Sequence, residues 1–219
     1  MATATDQSSP AAVVPGGGAT AASRAWEWEG KVVSPVPAAT ADEAWALLSD
    51  FLAFHRWHPR VAACRLASGT PRAPGCVRYC EGTVAVPDAA GVDGGAVAAP
   101  PPPPPDWAHE TLLEYDAERR FFRYEMNDNN MGFGVFFATF RVVPAASESG
   151  CELRWEFECE PVRGTPKEAL VARLQAGLDG MAERVTDHVM AARAAAGAVA
   201  GAPEAGGGEL KLDNYSIAV

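Results

Sequence analysis

Cys151-Glu152-Leu153-Arg154-Trp155-Glu156-Phe157-Glu158-Cys159-Glu160 decides the reading of this chain. Apolar residues hold every odd position and charged residues every even one, so an extended backbone sends the two sets to opposite faces. One face must be dry and the other wet, as in an antiparallel sheet covered on a single side. Working upstream, the same period of two recurs in residues 61–67, 76–84, 107–115, 120–126 and 133–143, each bounded by Gly, Asn, Asp, Ser or Pro. Trp26-Glu27-Trp28-Glu29 opens a further strand that continues through Val32. Between it and residue 61, Thr40 and Glu43 have capping-box spacing ahead of Ala44, Trp45, Leu47 and Leu48. Residues 50–58 read as a second short helix, ended by Pro59.

Downstream of the deciding strand the period changes. Thr165 is a candidate N-cap with Pro166 in the first turn, and Leu170, Leu174, Leu178, Met181, Val185 and Val189 follow at spacings of four, four, three, four and four. This predicts one long helix running to about Arg193, roughly 40 Å at ~1.5 Å per residue. The order is strand, two short helices, six strands, long C-terminal helix. An α+β fold follows, a curved seven-stranded antiparallel sheet wrapped around one helix, with a ligand cavity where the two cannot meet.

The 219 residues carry 18 Lys and Arg against 28 Asp and Glu, a formal charge of −10. This argues against nucleic-acid and anionic-membrane binding, which rest on clustered Lys and Arg. No apolar run approaches the ~20 residues of a membrane-spanning helix, and no secretory signal pattern is found. Five cysteines without a CxxC suggest neither a disulfide framework nor a zinc site, and the expectation is a reduced, cytoplasmic protein. Residues 1–25 and 196–219 read as disordered tails around a 26–195 domain, with plastid targeting a weaker alternative for the first. Residues 87–106, with six consecutive prolines, read as an extended loop insertion; docking of a protein partner onto a polyproline II stretch is the alternative.

The informative residues break the alternation. Arg78 shares its strand side with Cys76 and Cys80, and Glu110 shares its side with Ala108 and Leu112. Facing inward, each would cost several kcal/mol alone, so each needs the other or a ligand; facing outward, they are solvated charges. Tyr124 and Phe136 lie on adjoining strands and Trp155 and Phe157 on the deciding one, where they line a cavity or simply fill a core. His55 and His58 lack a third ligand at a useful spacing, Asp128-Asn129-Asn130 reads as a turn, and no cofactor is expected.

The run Phe51-Leu52-Ala53-Phe54-His55-Arg56-Trp57-His58-Pro59 resembles the plant polyketide cyclase/START-like group with the Bet v 1 helix-grip fold, in particular its lachrymatory-factor synthase-like branch. Further matches are Trp28-Glu29-Gly30-Lys31-Val32, Ala44-Trp45, Pro74-Gly75-Cys76-Val77-Arg78-Tyr79, Trp107-Ala108-His109-Glu110 and Leu153-Arg154-Trp155-Glu156-Phe157. The resemblance implies that Arg78 and Glu110 are a catalytic pair rearranging a small sulfenic acid into a thial S-oxide. Arg78 would hold an oxyanionic group and Glu110 relay a proton. One supporting tyrosine of the branch falls on Tyr124, while another falls on Phe136, which has no hydroxyl. The alternative is a non-catalytic carrier, in which the pair orients a small hydrophobic metabolite covered by the aromatics.

Overall fold

The structure is a computed structural model and describes residues 26–83, 103–146 and 149–200. The expectations for residues 1–25 lie outside the described residues. So do those for 201–219, and for the proline insert up to residue 102.

Seven strands form one antiparallel sheet: β1 (Trp28–Val36), β2 (Val61–Ser68), β3 (Val77–Gly82), β4 (Trp107–Asp116), β5 (Phe121–Asn129), β6 (Phe136–Pro144) and β7 (Cys151–Cys159). Their order across the sheet is β1-β7-β6-β5-β4-β3-β2, a meander from β2 to β7 with β1 returned to pair with β7. The register runs from Trp28 opposite Cys159 to Val36 opposite Cys151, so each odd, apolar residue of β7 meets the sheet's covered face. Cys151, Leu153, Trp155, Phe157 and Cys159 are all buried, as the alternation requires. This is the curved seven-stranded helix-grip arrangement read from the sequence.

The covering layer has two parts. Helix α1 (Ala41–Leu48) begins with the capping box: Thr40 Oγ1 accepts the Glu43 amide at 3.2 Å and Glu43 Oε2 accepts the Thr40 amide at 2.8 Å. Trp45 then packs on Tyr115 and Phe122 of the sheet. The second short helix is split into a 3-10 turn at Phe51–Ala53, capped by Asp50, and the single-turn α2 (Phe54–Trp57). The other part is α3 (Lys167–Ala200), 34 residues and roughly 50 Å long. It continues past Arg193 into 196–200, which the sequence assigned to a tail. Alanine dominates that stretch and holds a helix by intrinsic propensity without an apolar stripe. Its start also differs by one residue: the Pro166 carbonyl accepts the Leu170 amide, which places Pro166 rather than Thr165 at the cap. No helix among the described residues is long and apolar enough to cross a membrane.

Two glycines of α3 set how closely the layers approach. A Cβ at Gly177 would fall inside contact distance of the His58 ring, and one at Gly180 would lie 2.6 Å from Pro59 Cγ. A helix normally loses about 0.5–1 kcal/mol for each interior glycine. Here the loss permits the turn after α2 to press directly onto the helix.

The expectation of wholly reduced cysteines is corrected. Cys64 and Cys80 are directly opposed on β2 and β3, with Cα atoms 4.3 Å apart, and are joined by a disulfide. Cys76, Cys151 and Cys159 are free and buried.

Candidate functional site

Arg78 and Glu110 are direct cross-strand partners on β3 and β4, on the covered face. Arg78 is 1% exposed and Glu110 6%. Arg78 Nε donates to Glu110 Oε2 at 2.6 Å, and Nη1 donates to the Phe51 carbonyl at 2.6 Å. The rings of Phe51 and Phe54 lie 3.9 and 4.4 Å from the guanidinium carbon. The 3-10 turn and α2 therefore roof this cation: one carbonyl and two π faces compensate what the guanidinium lost in leaving water.

A cavity of about 140 Å³ opens beside the pair. Its interior is lined by Glu110, Tyr124, Met126, Phe136, Trp155 and Leu170, and its rim by Arg60, Asp106 and Arg173 among others. Arg78 does not line it. That side chain faces a separate void of about 10 Å³, walled by Asp50, Trp57 and Phe122 among others and too small for any organic ligand. Phe54, Tyr124 and Trp155 line both spaces and form the partition between them. The structure thus brings Arg78 and Glu110 together as expected, but leaves the carboxylate alone to face the cavity.

Tyr124 supplies the cavity's phenol. Its hydroxyl accepts the Trp155 indole N–H at 3.1 Å. Burial, reinforced by the nearby Glu110 charge, raises its pKa far above the usual phenol range. It stays protonated and keeps a hydrogen to donate. Phe136 and Trp155 line the cavity, and Phe157 does not. Phe157 faces Gly30 across the β1–β7 register, and its ring lies where a Cβ at Gly30 would be, 2.6 Å from Cε1. Stacked behind Phe136 at 6.2 Å, it belongs to the core.

His58 was not expected at the site and lines the cavity. Desolvation first, then the positive charges of Arg60, Arg78, Arg173 and Arg184, lower its pKa to about 3, so the ring is neutral. Its Nδ1 accepts the Arg60 amide. Asp128 and Asn129 end β5 rather than forming the turn expected at 128–130; Asn129 accepts the Met131 and Phe133 amides just beyond it, and Asn130 accepts that of Trp107 at the start of β4. No cluster of three or more metal-ligating side chains occurs among the described residues. Burial pushes the Cys151 and Cys159 thiols up to about 11, far from a reactive thiolate.

Residues 27–186 match the family described as polyketide cyclase/dehydrase and lipid transport. The chain belongs to that family. Solved structures agree on the polyketide cyclase fold. The Zhui aromatase/cyclase from Streptomyces sp. R1128 is 17% identical with a TM-score of 0.54, covering 78% of this chain and 98% of its own. A START superfamily protein from Mycobacterium smegmatis is 13% identical with a TM-score of 0.53, over 75% and 98%. A protein of Thermobifida fusca solved by NMR is 26% identical with a TM-score of 0.53, over 72% and 92%. An apolar interior beneath the long helix, open at one rim, fits the hydrophobic ligands that this family's description suggests.

Proposed function

We propose that the chain binds a small, mostly apolar molecule and rearranges it by proton transfer, with Glu110 as the group that takes and returns the proton. The observation that carries this reading is a carboxylate on the wall of an apolar cavity, with a guanidinium fixed 2.6 Å behind it and a protonated phenol on the adjoining strand. The volume of about 140 Å³ is close to the ~150 Å³ of an engineered cavity that accommodates benzene, so the buried part of the ligand is a handful of heavy atoms.

The lachrymatory-factor synthase-like resemblance names such a substrate, a small alkenyl sulfenic acid. Glu110 would remove the S–O–H proton and return it to the alkenyl carbon β to sulfur, so that the C=C bond becomes C=S and the isomeric thial S-oxide forms with no net gain or loss of atoms or electrons. Tyr124 would donate to the oxygen as charge develops on it. Arg78, committed to Glu110 and the Phe51 carbonyl and walled off from the cavity, acts as a positioning residue rather than an oxyanion holder. Phe136 stands where the branch has a second tyrosine, which leaves Tyr124 as the phenol on the cavity wall among the described residues.

The test is to generate an alkenyl sulfenic acid in the presence of the full chain and quantify the thial S-oxide by gas chromatography. Wild type should exceed buffer, and Glu110→Gln should lose about a hundredfold or more, the usual contribution of a positioned acid-base group. Wild type equal to buffer, or a Glu110→Gln variant equal to wild type, overturns the catalytic assignment. A carrier would return its ligand unchanged.

A further inference from the structure

With Arg78 sealed behind its aromatic partition, the guanidinium groups that meet the main cavity are those of Arg60 and Arg173, both at the rim. Arg173 projects from α3 between Leu170 and Leu174, two apolar residues of the same wall. Its Nη2 donates to Asp106 Oδ2 at 2.8 Å and lies 3.3 Å from Met131 Sδ. Asp106 is held in place by its backbone, because its carbonyl accepts the Gly82 amide at 2.6 Å. Among the described residues, the carboxylate's hydrogen bond and ion pair are both with Arg173.

Two features make this pair exchangeable. The side chains are 39% and 48% exposed, and an ion pair that wet contributes little to stability. Asp106 also engages a single nitrogen of a group built to grip a carboxylate with two parallel N–H bonds. A ligand carboxylate arriving from the cavity side can use that fork fully, whereas Asp106, fixed by its own backbone, does not. Glu81, a second acid lining the cavity among the described residues, accepts the Tyr79 hydroxyl at 3.3 Å.

We propose that Arg173 anchors an anionic group, a carboxylate or its equivalent, on the ligand of this cavity, and that Asp106 is the placeholder the ligand displaces. This rests on the cavity being a ligand site and narrows the ligand to an amphiphile with an apolar body inside and a negative end at the rim, so a sulfenic acid suited to this site would carry such an end in addition to its S–O–H group. The buried carboxylate and the rim guanidinium then address opposite ends of one molecule.

Three probes sharing one skeleton test it by isothermal titration calorimetry on the full chain: 3-phenylpropionate, 3-phenylpropanol and 3-phenylpropylamine. The acid should bind at least tenfold more tightly than the alcohol, with the amine weakest. Arg173→Gln should bring the acid-to-alcohol ratio to within twofold, Arg173→Lys should leave it intermediate, and Asp106→Asn should raise it severalfold. Equal binding of all three probes to wild type, or a ratio that Arg173→Gln leaves unchanged, overturns the anchor alone. No uptake of any probe overturns the anchor and the cavity reading together.

Discussion

Glu110→Gln leaves the Arg78 guanidinium without its counter-charge in a site where the two side chains are 1% and 7% exposed. Removing one member of a buried pair costs about 3–5 kcal/mol, mostly the penalty on the charge left behind. The amide oxygen of Gln can still accept from Nε, and the Phe51 carbonyl and the two phenylalanine faces remain, so the loss should sit near ~3 kcal/mol. Arg78→Met strands Glu110 instead, but that carboxylate borders the cavity and can be rehydrated, so its loss should be smaller, about 1–2 kcal/mol. The double variant strands neither charge, and its loss should fall short of the sum of the single losses by at least ~2 kcal/mol, since residues in direct contact couple on that scale. Urea unfolding followed by tryptophan fluorescence measures all four proteins. Single losses that add to within ~0.5 kcal/mol would refute the claim that this is one buried electrostatic unit. A double variant that is stable yet inert toward substrate would show that the pair is kept for chemistry rather than for folding.

His58 gives a pH prediction. Its folded pKa of about 3 lies below the unfolded value of 6.5, so the unfolded chain takes up a proton that the folded one refuses. The neutral ring's contribution is complete above pH 6.5 and declines as pH falls toward 3, at up to ~1.4 kcal/mol per unit. Between pH 6.5 and 5 wild type should lose about 1.6 kcal/mol more than His58→Gln, and equal losses in urea titrations would remove the assignment. The Cys64–Cys80 bond closes a loop with a sequence separation of 16, for which chain entropy gives about 3 kcal/mol. Dithiothreitol should therefore lower the urea midpoint of wild type and not of Cys64→Ser; five titratable thiols in the unreduced, denatured protein would contradict the pairing.

What could be read from the sequence is whatever one element fixes alone. The alternation of β7 and the stripe of α3 each demand one dry side, and the Thr40–Glu43 box marks a helix start from four residues. Arg78 and Glu110 stood out because strand parity places a charge among apolar neighbours, and the cross-strand register then made them partners. What stayed hidden depends on two distant segments. Phe157 has the parity of a lining residue, yet Gly30 opposite draws it into the core. His58 reaches the cavity because Gly177, far along the chain, leaves room for its ring. Cys64 and Cys80 are matched by a register that the mostly exposed β2 does not announce through hydrophobicity. Arg173 was out of reach for another reason, since only the rotation of α3 about its axis brings it to the rim.

The wall of Phe54, Tyr124 and Trp155 divides labour as well as space. On the proposed function, the arginine behind it would orient the acid without meeting the ligand. In front of it, on the same proposal, the rim residues Arg60, Asp106 and Arg173 would select which molecules enter. If both roles hold, substitutions at the rim would change which compounds bind while leaving the interior pair intact, so ligand preference and proton-transfer chemistry would be separable by mutation.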